Sequence, residues 1–166
     1  MAELSLRAAA AGDLEAVAAI YNEGIAERIA TFETEPRTAD DLEPWLGELG
    51  PFIVAEEAGT VLGFARVGPY SDRCVYEGIG EHAVYVGRGA RGRGLGRQLL
   101  IELAAAAEKA GFYKLTSRVF TDNGASLAAH RAAGFETIGT QRRHGQLDGE
   151  WKDCVLLEIL IGPGAA

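Results

Sequence analysis

Apolar residues recur along the chain with two different periods, and the switches between them divide it into elements. Leu14, Val17, Ala18, Ile20, Tyr21 and Ile25 fall at helical spacing after Asp13, a residue suited to capping a helix. Leu95, Leu99, Leu100 and Leu103 repeat that spacing in a second strong helix over Leu95 to Lys109. Thr31 to Pro36 breaks the first pattern, and Thr38 is placed to cap a further helix running to about Leu49. Phe52 to Glu57 and Val61 to Val67 read as strands joined by the hairpin signal Ala58-Gly59-Thr60. Ser5 to Ala8, Gly80 to Val86 and Leu115 to Phe120 are further short strands, and Ala125 to Ala132 is a short helix stopped by Gly134. Phe135 to Thr140 and Trp151 to Ile161 are the last two strands, connected through a polar segment around Leu147 to Gly149. Gly68 to Tyr76 reads as a loop, and the tail from Gly162 is expected to fray. This order predicts a single α/β domain over residues 1–166, with an ordered core from about 4 to 161. Its centre is a mixed sheet with helices on both faces.

Composition narrows the class. At 166 residues and 48% hydrophobic content the chain can bury a core without disulfides or metals. Cys74 and Cys154 have no ligand spacing and read as reduced thiols of a cytoplasmic protein. His82, His130 and His144 lack metal-ligand spacing too, so no metal is expected. Met1 to Arg7 carries no basic segment followed by an apolar run, and no signal peptide is expected. No apolar run approaches the roughly 20 residues of a membrane span. A net charge of −8 argues against a nucleic-acid surface. Against that background Arg88, Arg91, Arg93 and Arg97 fall within ten positions, a local island that suits one small, highly anionic ligand.

The island coincides with Arg91-Gly92-Arg93-Gly94-Leu95-Gly96-Arg97, set between a strand and a helix. Glycines let backbone approach a ligand and adopt positive φ, and the open N–H groups of a helix start suit a pyrophosphate. The arginines can add charge-assisted contacts. A Walker motif is excluded because no Gly-Lys-Ser/Thr follows, and the dinucleotide fingerprint is excluded by the glycine spacing. Arg91, Gly94 and Gly96 match Arg/Gln-x-x-Gly-x-Gly/Ala, and that segment resembles the acetyl-CoA pyrophosphate loop of the GNAT superfamily. Asn123, Ser126 and His130, followed by Gly134-Phe135, resemble the superfamily's later Asn-x-x-Ala/Ser-x-x-x-Tyr segment. In that segment the Asn contacts pantetheine, although Asn123 suits a plain N-cap equally.

Ile20-Tyr21-Asn22-Glu23, Thr31 to Pro36, Glu81 to Val86 and Trp151-Lys152-Asp153 extend the likeness to the phosphinothricin N-acetyltransferase branch. Pro69-Tyr70-Ser71-Asp72-Arg73 is similar to the arsinothricin N-acetyltransferases. The resemblance implies a GNAT fold with a mostly antiparallel sheet of six to seven strands. It implies acetyl-CoA as cosubstrate, a small glutamate-like amino acid as amine acceptor, and a homodimer. One departure is Asp148, where herbicide-resistance members carry histidine.

Roles follow from the same likeness. Glu81 matches the general base that takes the amine proton, and strand alternation sets it on one face with Ala83 and Tyr85. Val84, Tyr85 and Val86 offer backbone to pantetheine. His130 stands where many members protonate the departing thiolate with a tyrosine. Arg73 suits an anionic side chain in bidentate fashion, with Phe32, Tyr70 and Ser71 completing the pocket. The alternatives left open are a peptide or aminoglycoside acetyltransferase and an idle acetyl-CoA-binding domain.

Overall fold

A computed structural model describes residues 3–166. Met1 and Ala2, the start of the amino-terminal segment read above, lie outside the described residues. A seven-stranded sheet runs in the order β1-β2-β3-β4-β5-β7-β6. Its members are β1 (Leu4–Ala8), β2 (Phe52–Glu57), β3 (Thr60–Pro69), β4 (Ile79–Val86), β5 (Lys114–Phe120), β6 (Glu136–Leu147) and β7 (Glu150–Leu160). Every pairing is antiparallel except β4 with β5.

Two cores cover the two faces. The helix α1 (Leu14–Glu27) and the short α2 (Ala39–Leu42) bury Val17, Ile25 and Leu42 against Val54 and Phe64. On the other face α3 (Leu95–Lys109) and α4 (Gly124–Ala132) bury Leu99, Leu103 and Leu127 against Ala65, Val67 and Leu115. Alternation along β3 explains the division, since Phe64 and Ala65 must point to opposite sides. The expected class, strand number and two-faced packing are what the structure has.

Four local expectations need correction. Thr38 caps its helix with a reciprocal Asp41 bond, but the α-helix ends at Leu42 and continues as a 3₁₀ turn over Glu43–Gly47. Pro44 near the start of that turn lacks the N–H that would continue the α ladder. Asp13 does not cap α1: its carboxylate accepts from Ala10 N at 2.8 Å and pairs with Arg7 at 2.8 Å. The segment from Gln141 to Leu147 is strand, because Asp148 (φ 50°) and Gly149 (φ 82°) make a two-residue hairpin turn. Asp-Gly is a strong signal for such a turn. The tail is anchored as well, with the Gly162 N–H donating to Glu108 Oε1 at 2.7 Å.

The feature that places the site lies at the centre of the sheet. The strands β4 and β5 pair over only Ile79–Lys114, Gly80–Leu115 and Glu81–Thr116, and then part. Beyond Glu81, β4 keeps its neighbour β3 on one side and has no strand partner on the other.

Candidate active site

Two cavities meet where the strands part. One, of about 490 Å³, runs along the starts of α3 and α4 and is lined by Val84, Tyr85, Val86, Arg91, Gly92 and Gly94 to Arg97. The other, of about 460 Å³, opens on the α1 face and is lined by Phe32, Arg66, Glu81, Arg118, His130 and His144, among others. Val84, Tyr85, Asn123 and Ser126 border both. Glu81, exposed at the last position of β4 that pairs with β5, lines the second cavity three residues before Val84, which borders both.

The glycine-rich turn leaves open the groups that an anion would use. Gly92 (φ 82°) and Gly94 (φ 77°) take left-handed conformations, and a Cβ at either would meet nothing within 4 Å. Both glycines are thus there for conformation, leaving the surface open. Gly94 occupies the N-cap of α3 without any side-chain cap, so the first N–H groups of that helix stay available. Gly96 has a different reason: a Cβ there would lie 3.4 Å from that of Ala129, so its smallness lets α3 and α4 approach. Gly24, Ala125, Ala128, Ala129 and Ala132 keep the rest of the slot wide and apolar. These residues fit the pyrophosphate and pantetheine arm of acetyl-CoA.

The arginines of the turn are less free than their number implies. Arg91 holds Glu27 with both Nη atoms, at 2.7 and 2.8 Å, and this pairing keeps the Glu27 carboxyl below its ordinary range. Arg93 pairs with Glu57 at 2.6 Å, outside the residues lining the slot. Arg97 donates to the Ala132 carbonyl at 3.3 Å and has no acidic partner among the described residues. Backbone N–H groups therefore carry more of the expected anion binding than the sequence suggests. Replacing Gly94 by Val would force a branched side chain into φ 77°, costing about 1–2 kcal/mol. The expected result is roughly tenfold weaker acetyl-CoA binding by calorimetry.

Asn123 caps α4, its Oδ1 accepting from Ser126 N at 3.3 Å, while it also borders both cavities. His130 is 2% exposed and both of its nitrogens are occupied. Nδ1 lies 2.8 Å from the Ser126 carbonyl and Nε2 lies 2.9 Å from His82 Nε2. A carbonyl only accepts, so His130 Nδ1 carries the hydrogen, and neutral His130 then accepts from His82 through Nε2. That leaves His82 Nδ1 bare, and among the described residues it is the one buried side-chain nitrogen or oxygen without a partner. Burial holds both imidazoles below the ordinary histidine range, His82 down to about 3 with His130 as a further cause. The expected delivery of a proton from His130 to a thiolate meets a physical obstacle: a neutral imidazole whose N–H is already bonded is a poor acid. The Ser126 hydroxyl lies 3.3 Å from His130 Nδ1, and Ser126 borders both cavities.

On the acceptor side Phe32 packs edge-on against Phe120 at 4.8 Å, and Gly145 leaves room for its ring. Tyr70, Ser71 and Arg73 do not line either cavity. Arg73 lies over the Tyr76 ring at 5.4 Å, its N–H donates to Ser71 Oγ, and Tyr70 packs edge-on against Tyr76. Asp148 lines neither cavity; it opens the β6–β7 turn and pairs with Arg28 at 2.9 Å. Residues that sequence reasoning missed are Arg66, Arg118, Ser117, His82 and His144, all in the cavity lining. They come from four strands, β3, β4, β5 and β6, and only the sheet register could have united them. Among the described residues no group of three or more His, Cys, Asp or Glu could hold a metal ion, and no helix is long and apolar enough to cross a membrane.

Known proteins share this fold. The acetyltransferase (GNAT) family model matches residues 17–135. An L-methionine sulfoximine/L-methionine sulfone acetyltransferase of Pseudomonas aeruginosa is 33% identical, with 96% of this chain and 95% of that protein covered. A phosphinothricin N-acetyltransferase of Streptomyces viridochromogenes is 36% identical over 90% of this chain and 84% of its own. The solved GNAT superfamily phosphinothricin acetyltransferase of Sinorhizobium meliloti in complex with acetyl-CoA superposes with a TM-score of 0.90. It is 31% identical, over 97% of this chain and 90% of that one.

Proposed function

Since the chain belongs to the acetyltransferase (GNAT) family and is an acetyl-CoA-dependent N-acetyltransferase, we propose that its acceptor is the α-amine of a small, glutamate-like amino acid. Phosphinothricin, methionine sulfoximine and arsinothricin are the candidate acceptors. The observation that carries this reading is Glu81 in a pocket lined by two arginines, a pocket that shares Val84, Tyr85, Asn123 and Ser126 with the cosubstrate slot.

The chemistry is direct transfer. An α-amine is largely protonated near neutral pH, and Glu81 takes one proton, directly or through a water. The freed lone pair attacks the thioester carbonyl carbon, and the carbon–sulfur bond breaks with its pair going to sulfur. The nitrogen's second surplus proton passes to the CoA thiolate, directly or through water, leaving the amide and CoA thiol. Backbone N–H groups of β4 beyond Glu81, free of a strand partner, steady the oxygen as it gains charge. A thiolate leaves readily, and the Ser126 hydroxyl borders both cavities where that sulfur departs. A homodimer and a cytoplasmic setting belong to the same proposal, on the resemblance to the phosphinothricin branch.

Release of free CoA from acetyl-CoA tests it, with phosphinothricin, methionine sulfoximine, arsinothricin, glutamate, an aminoglycoside and a short peptide as acceptors. Fastest turnover is expected with one of the three glutamate-like analogues. Turnover confined to the peptide or the aminoglycoside overturns the acceptor class.

A further inference from the structure

The acceptor cavity holds two arginines on the sheet face of Glu81, and they are not equivalent. Arg66 is committed: it is ion-paired with Glu48 and lies over the Trp45 ring at 4.2 Å. Arg118 has no carboxylate partner among the described residues. Its Nε donates to the neutral Gln141 Oε1 at 2.8 Å, which fixes the plane of the guanidinium and leaves both Nη groups without an acidic partner among the described residues. Gln141 sits where β6 bulges, the register against β7 shifting between Gln141 and Gly145. Such bulges re-aim side chains.

Position gives Arg118 its meaning. Thr116 pairs with Glu81, and Arg118 stands one pleat further on β5, on the same face and past the point where the strands part. Glu81 and Arg118 thus flank the opening from its two sides without being bonded to each other. An α-amino acid carries an ammonium and a carboxylate on one carbon, so its receptor needs the opposite charges side by side and mutually unpaired. We propose that Arg118 anchors the α-carboxylate of the acceptor, its Nη donors forming a charge-assisted pair while Glu81 receives the adjacent ammonium. This rests on the amino-acid reading above and sharpens it: the enzyme selects acceptors with a free α-carboxylate, and amines or amides of the same side chain are poor acceptors. Planar guanidinium and planar carboxylate match bidentately, which an ammonium group does not reproduce.

The test compares kcat/KM for methionine sulfone and for its α-carboxamide, with acetyl-CoA saturating, in wild type, Arg118→Met and Arg118→Lys. Taking the change in this ratio between proteins cancels the different intrinsic reactivity of the two amines. The acid-over-amide preference is expected to fall roughly 100-fold in Arg118→Met. Arg118→Lys, which keeps the charge but not the fork, should fall in between and stands in if the Met variant does not fold. An unchanged ratio in either variant overturns the anchor, as does an equal loss on acid and amide, which marks a merely structural arginine. Wild-type turnover of peptide amines with none of any amino acid overturns the parent reading, and the anchor falls with it.

Discussion

Replacing Glu81 by Gln is expected to lower kcat by a factor of roughly 10² to 10⁴, the usual worth of a positioned base. The amide keeps the shape and the hydrogen-bonding reach of the side chain, and the strand pairing of Glu81 with Thr116 is made by backbone. What it removes is the proton acceptor. The variant should therefore still bind acetyl-CoA, whose slot Glu81 does not line. Its residual rate should also climb about tenfold per pH unit while the amine remains mostly protonated, because solvent must then supply the free base. Steady-state rates from pH 6.5 to 9.5, with binding of acetyl-CoA by calorimetry, separate this from a structural defect. A variant rate that is flat with pH would remove Glu81 from the proton path.

The second large effect concerns stability rather than rate. His82 and His130 are buried and neutral in the fold, and His82 takes a proton only near pH 3, where a free histidine takes it near 6.5. Below about 6.5 the unfolded chain binds protons that the folded chain refuses, so the unfolded state gains as pH falls. The neutral pair contributes fully above that point and is lost progressively below it. Linkage assigns His82 alone about 2 kcal/mol between pH 7.5 and 5, with His130 acting in the same direction. Asp13, Glu27 and Asp41, whose carboxyls are held below their ordinary values, add their losses only in the carboxylate range further down. Urea unfolding at pH 7.5, 6.5, 5.5 and 5 thus isolates the imidazoles. A midpoint constant across that interval would show that the pair is not held neutral.

Much of this molecule is legible in its sequence where the signal is local. The apolar stripes of α1 and α3 show at 3.6 spacing because each helix buries a single face, and the phosphate turn is a contiguous run of Gly and Arg. What is hidden has non-local causes. His82 and His130 meet across 48 residues, and Arg118 joins Glu81 only through the β4–β5 register. Asp13 lost its capping role to Arg7, a competitor on another element. The strand from Gln141 to Leu147 is mostly exposed and bulged, so no alternation of apolar residues marks it. Only the Asp148-Gly149 turn could have signalled its extent.

The three residue pairs that join β4 to β5 also have a mechanical meaning. A four-strand half-sheet and a three-strand half-sheet are stitched together by this short seam, with α3 and α4 bridging behind it. A pantetheine chain lying along the parted edge would supply amide partners that the missing strand does not, acting as a temporary eighth strand. The cosubstrate is then a structural member of the fold for as long as it stays. Backbone amides from His82 to Val86 should exchange with solvent slowly when it is bound and quickly once CoA has left.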